Sequence, residues 1–187
     1  MISAIASQGA TRVGARQVKY RAVMPRGRPD IANTSVRIFL HEMGVAYDEE
    51  RGKEPYKKPK HFQQVQDFFG NPCCYCGVEF STTEAPVEDH LIPTNKTDLG
   101  LHAWGNIVPA CRECNAKKQG GDWRDFIIER AGVDAAERHA RMREFISAQG
   151  YAPKQDIGEI AGELYDEVGD IAMTLIRAKI KRVREKL

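Results

Sequence analysis

The sequence predicts an α+β protein: a short middle segment framed by cysteines, set between mainly helical flanks. Three observations carry this. All five cysteines lie between residues 73 and 114. The flanks repeat apolar residues at helical spacing. A length of 187 residues allows one domain with extensions. Hydrophobic content of 42% and charged content of 29% are those of a soluble globular chain. No apolar run approaches the roughly 20 residues that span a membrane. "MISAIAS" lacks the charged-then-apolar layout of a secretory signal, so the expected compartment is the cytoplasm, with no membrane partner.

The organisation reads as three parts. Residues 1–70 form a basic N-terminal extension with short helices, expected to contact DNA. Residues 71–120 form the cysteine-framed core. Residues 121–187 form a helical C-terminal region. Residues 1–28 carry six basic residues and no acid, which reads as a basic arm. In "NTSVRIFLHEMG", Val36, Phe39, Leu40 and Met43 fall at i, i+3, i+4 and i+7. That predicts a short helix with Thr34 or Ser35 as cap and Gly44 as stop. "HFQQVQDFFG" predicts a second, with Phe62, Val65, Phe68 and Phe69 inward. After "GGDW" the chain reads as helical to its end. From about Gln155 to Leu187, apolar residues step by threes and fours, a helix of roughly 50 Å. Such a helix either packs across the chain's own core or forms the seam of a homodimer.

Net charge is only +2. Residues 1–70 hold 12 Lys/Arg against 7 Asp/Glu, whereas residues 71–124 hold 5 against 7. A basic front beside an acidic middle suits a nucleic-acid binder that also holds a cation.

"CCYC" contains Cys73-x-x-Cys76, and "CREC" contains Cys111-x-x-Cys114. Each turn brings two thiolates to one tetrahedral ion, and two turns close a four-cysteine shell around structural Zn²⁺. A redox pair needs only one such turn. Cys74 is left over as a small packed neighbour. Within this frame lie Asp89 and His90, then Asn106, then Asn115. Phosphodiester hydrolysis uses a base to activate water, a Lewis acid on the phosphate, and charge stabilisation of the leaving oxygen. Neutral histidine is a good base near pH 7. A carboxylate and an amide oxygen are hard ligands suited to Mg²⁺ or Mn²⁺. Lys117 and Lys118 follow directly and are candidate contacts to the DNA backbone.

"CCYC … VEDHLIP … GLHAWGNIVPACRECNAKK" resembles the HNH endonuclease family, the ββα-metal or His-Me finger nucleases, in its four-cysteine zinc form. The resemblance covers about residues 71–120. It implies two antiparallel strands and a helix around one catalytic divalent cation. It implies His90 as general base, Asp89 as metal ligand, and Asn106 as the residue that braces the loop and orients the histidine. Asn115 stands at the last motif position as a second metal ligand; many members have His there, and Asn is a variant. Cys73, Cys76, Cys111 and Cys114 match the zinc site.

Lys96 and His102, on the loop between the strands, are further candidate DNA contacts. His41, His61 and His139 read as ordinary surface or core. The expected function is a metal-dependent DNA endonuclease, restriction-type in setting. The alternative is a non-catalytic zinc module that binds nucleic acid. Adjacent side chains of a regular strand point apart, so one site for both Asp89 and His90 predicts that the strand bends, bulges or ends there.

Overall fold

The computed structural model describes residues 27–153 and 157–185. The basic arm expected over residues 1–28 lies almost wholly outside the described residues. The elements run α1 (Arg28–Glu50), α2 (Lys60–Phe69), β1 (Val87–His90), β2 (Ile107–Ala110), α3 (Arg112–Lys118), α4 (Trp123–Ala131), α5 (Ala135–Gln149) and α6 (Gly158–Arg184), with a single 3-10 turn joining α4 to α5. The α+β class is observed, with one small two-stranded sheet amid helices.

α1 is longer at both ends than the pattern predicted. Pro29 in its first turn suits a helix start, where its missing N–H has no partner to lose. The Thr34 and Ser35 hydroxyls do not cap; they donate to the carbonyls of Asp30 and Ile31 one turn back. Gly44 does not end the helix either. It is buried where α1 crosses the His102 backbone, and a Cβ there would collide with the His102 carbonyl. The glycine serves close approach rather than termination.

Beyond α1 the connector is organised by Asp48, which is fully buried. Its carboxylate takes the Arg51 guanidinium at 2.5 Å, the Tyr56 N–H at 3.0 Å and the Trp104 N–H at 3.3 Å. A buried charge is tolerable when it is paired and hydrogen-bonded in this way. α2 presents Phe62 and Val65 to the main core, as expected, with Phe68 and Phe69 packed at its margin.

β1 and β2 pair antiparallel, with Val87 opposite Ala110 and His90 opposite Ile107. The register is unbroken, so there is no bulge; the strand ends at His90. α3 follows β2 at once, giving the ββα unit. Two apolar clusters flank it. One gathers α2, the sheet, α4 and α5 around Tyr75, Ile107, Ile127, Met142 and Phe145. The other joins α1 to Leu101, Ala103, Tyr151 and Ala161. The two flanks also meet directly: Arg28 of α1 pairs with Asp166 and Asp170 of α6. No helix among the described residues is long and apolar enough to cross a membrane.

Candidate active site and metal centre

The cysteine frame is built by two tight turns. Cys73 N–H donates to the Val78 carbonyl at 2.8 Å and Gly77 N–H to the Cys73 carbonyl at 3.0 Å. Gly77 closes the first turn at φ +78°, a left-handed conformation that favours glycine. Cys111 caps α3, its Sγ accepting the Cys114 N–H. These turns bring the Sγ atoms of Cys73, Cys76, Cys111 and Cys114 within 4.8 Å of one another. Neighbouring thiols donating to Cys73, Cys114 first, hold its thiol well below the ordinary range. Their shared proton pushes Cys114 up. Four clustered thiols that already favour one thiolate are a donor set for Zn²⁺, which displaces the remaining protons. The Arg130 guanidinium lies against Cys114, and its buried Nε has no acceptor among the described residues. Positive charge there offsets a four-thiolate shell. Cys74 is buried beside the frame, with its thiol pushed up by burial.

β1 carries its two polar residues to opposite sides. Asp89 turns inward and is 6% exposed. Its Oδ2 accepts the Tyr75 hydroxyl at 2.5 Å and lies 3.2 Å from the Lys118 ammonium. Burial pushes the Asp89 carboxyl up, against the opposing pull of Lys118 and Tyr75. Lys118 also donates to the His90 carbonyl at 2.6 Å and is 3% exposed. The expected DNA contact at Lys118 is thereby corrected: its ammonium is the internal partner of Asp89, not a surface group. Asn115 stands one turn earlier on α3, on the same side as Lys118. Asp89 already accepts one positive charge, that of the Lys118 ammonium. A divalent cation here would share Asp89 with Lys118.

His90 faces the other way. Its Nε2 lies 2.9 Å from Nδ1 of His102. The His102 ring stacks on His41 of α1 at 3.9 Å and 11°, and Tyr56 meets it edge-on at 5.2 Å. Burial, with help from His102, His41, Lys118 and Arg37, pushes His90 down to about 3. Burial and His41 push His102 down to about 4. Both rings are neutral at pH 7.

Asn106 is fully buried and ties the inter-strand loop. Its Oδ1 accepts the Ile92 N–H at 2.8 Å, and its Nδ2 donates to the carbonyls of Ile92 and Leu101. The loop that leaves His90 and the loop that carries His102 are thus held together by one amide. Of the other expected DNA contacts, His102 turns to His90. Lys117 is exposed and paired with Glu113 at 2.8 Å. Lys96 is exposed, its ammonium 3.7 Å from the Tyr165 ring centre of α6.

Reading the sequence missed His41 and the pairing of His102 with His90. The signal available was slight: His41 lies on α1, far from the motif in sequence. His61 and His139 keep their ordinary reading. His61 is buried and accepts the Lys57 N–H, and His139 packs on Trp123.

Comparison with known proteins bears on the middle of the chain. Residues 73–121 match the family model for HNH endonuclease. The chain is 26% identical to Septu protein PtuB of Bacillus thuringiensis over 94 residues, covering 50% of this chain and 37% of that protein. It is 24% identical over 98 residues to the SPbeta prophage-derived putative HNH endonuclease YoqL of Bacillus subtilis (strain 168), covering 46% of this chain and 40% of that one. The chain spans about two-fifths of the length of these curated relatives. The cysteine frame and the ββα unit both fall within residues 73–121, the segment that matches the HNH endonuclease family model.

Proposed function

We propose that the protein is a metal-dependent endonuclease that hydrolyses phosphodiester bonds in DNA, with His90 as general base. The observation that carries this is the His90 ring: neutral, half-buried and held at one nitrogen by His102. With Nε2 engaged, Nδ1 is the nitrogen left to take a proton from an attacking water. An anionic phosphate beside the ring raises its basicity toward the working range. Asp89 and Asn115 would hold the divalent cation, Mg²⁺ or Mn²⁺, which supplies Lewis-acid stabilisation of the scissile phosphate and leaving oxygen. Asn106 keeps the loop closed behind the base. The four cysteines would hold structural Zn²⁺, which contributes folding energy and no open coordination position. The exposed Arg37 and Lys117 would meet the DNA backbone, as would Lys96 on leaving Tyr165. We read the setting as restriction-type cleavage.

Plasmid incubated with the protein and Mg²⁺ or Mn²⁺ tests the reading. Nicking or cutting is expected, lost in His90→Ala. Wild-type protein that cuts no DNA, modified or unmodified, would overturn it.

One observation favours a second reading. Asp89 is already neutralised by Lys118, as in a module that binds nucleic acid without cutting. Such a module retains DNA in a salt-dependent manner that His90→Ala leaves unchanged.

The distal half of α6 exposes Ile171, Leu175, Ile180 and Val183, each at least 48% accessible. This face forms a homodimer seam in our reading, so that two sites address two strands. Light scattering is expected to give a dimer; a monomer at working concentration removes the seam.

A further inference from the structure

The ring that holds His90 is itself held with unusual care, and much of that support comes from outside the segment that matches the HNH family model. His102 is gripped on one face by His41, stacked at 3.9 Å, and at its edge by Tyr56 at 5.2 Å. Tyr56 is fixed in turn by donating to Glu88 at 2.7 Å. The His102 backbone is pressed against Gly44, and the preceding residue's carbonyl is bonded by Asn106. His41, Gly44 and Tyr56 all precede residue 73, where the family match begins. Each restraint fixes the position of one atom, Nδ1 of His102, which lies 2.9 Å from His90 Nε2.

We propose that His102 is the positioning residue for His90, and that the N-terminal flank completes the site by clamping His102 through His41 and Tyr56. One imidazole donates and the other accepts across this bond. With His102 Nδ1 as acceptor, the His90 proton sits on Nε2, and the lone pair on Nδ1 faces the substrate side. Carboxylates and carbonyls commonly orient a histidine base in this way; here a neutral imidazole does so. The inference rests on the reading of His90 as the base.

Two variants separate hydrogen bonding from packing. His102→Phe keeps a ring for His41 and Tyr56 but has no acceptor. His102→Asn loses the ring but keeps an amide oxygen near the Nδ1 position. A positioning role predicts that His102→Phe lowers kcat on the order of 10- to 100-fold, typical for loss of an orienting group. KM for DNA should hold within about twofold, and His102→Asn should recover most of the rate. Equal impairment of both variants, or full activity of His102→Phe, overturns the proposal. Nitrogen-15 NMR of the DNA-free protein supplies a readout independent of cleavage. His90 is expected as the Nε2–H tautomer in wild type and as a mixture in His102→Phe. An Nδ1–H tautomer in wild type also overturns it. If wild type shows the expected tautomer yet cuts no DNA, the nuclease reading falls and the positioning stands.

Discussion

The two faces of β1 are one residue apart in sequence and opposite in chemistry. On the Asp89 face, charge is sealed in: a carboxylate, a lysine ammonium and a tyrosine hydroxyl interlock beside the cysteine frame. On the His90 face, His90 and His102 meet His41 of α1, and burial keeps His90 and His102 neutral at pH 7. Strand alternation is the cause, since neighbouring residues must point apart. The comparison teaches that the proposed metal ligand and the proposed base leave one strand on opposite faces, each held by its own partners. What happens at His90 depends on what is held still behind it.

The largest expected effect lies with the frame. Stripping zinc with a strong chelator should unfold the segment 71–120, since apparent binding energies of structural zinc are about 10–16 kcal/mol. Loss of the thermal transition by circular dichroism checks this; an unchanged melt breaks the division of labour. Metal analysis should give one zinc per chain, unaltered by Cys74→Ala.

Next is the sealed face itself. Lys118→Met leaves Asp89 buried without its cation and should destabilise by about 3–5 kcal/mol. Adding Asp89→Asn should recover part of the loss, as a double-mutant cycle for a coupled pair. If Lys118→Met melts as wild type, the ion pair does not hold β1 to α3.

How far these faces were legible in the sequence depends on range. The cysteine pairs were legible because a Cys-x-x-Cys turn is a local geometry. The helical stretch around Val36–Met43 was legible by its period, but its ends were not. Gly44 reads as a stop, and only contact with the distant His102 backbone shows that it serves packing. Lys118 reads as surface because lysines are almost never fully buried unless paired; the pairing is tertiary. Asp48 hides in the same way inside a polar run. The His41–His102 stack joins a flank to the core, and no pattern along the chain announces it.

The reactive face predicts a smaller, pH-dependent effect. His90 and His102 have folded pKa values of about 3 and about 4, below the unfolded value of 6.5. Above pH 6.5 neither state binds the proton, and nothing is lost. As pH falls through 6.5, the unfolded chain takes up protons that the folded chain refuses, so stability declines toward pH 4. The loss by pH 5 should be about 2 kcal/mol per histidine, read from denaturant melts of wild type against His102→Phe. Stability that rises on acidification over this range contradicts neutral burial.

The smallest effect belongs to the exposed α3 surface. Lys117→Ala breaks only a solvent-exposed pair with Glu113 and should change stability by less than about 0.5 kcal/mol. If Lys117 meets a phosphate, the same change should reduce the salt slope of DNA binding by about one.

The most direct test compares the faces in one assay: the single-turnover rate of plasmid cleavage by zinc-loaded wild type and His90→Ala. The account predicts a loss of about 10²–10⁴-fold in the variant, with its melting transition retained. A His90→Ala protein that cuts DNA at the wild-type rate would contradict it.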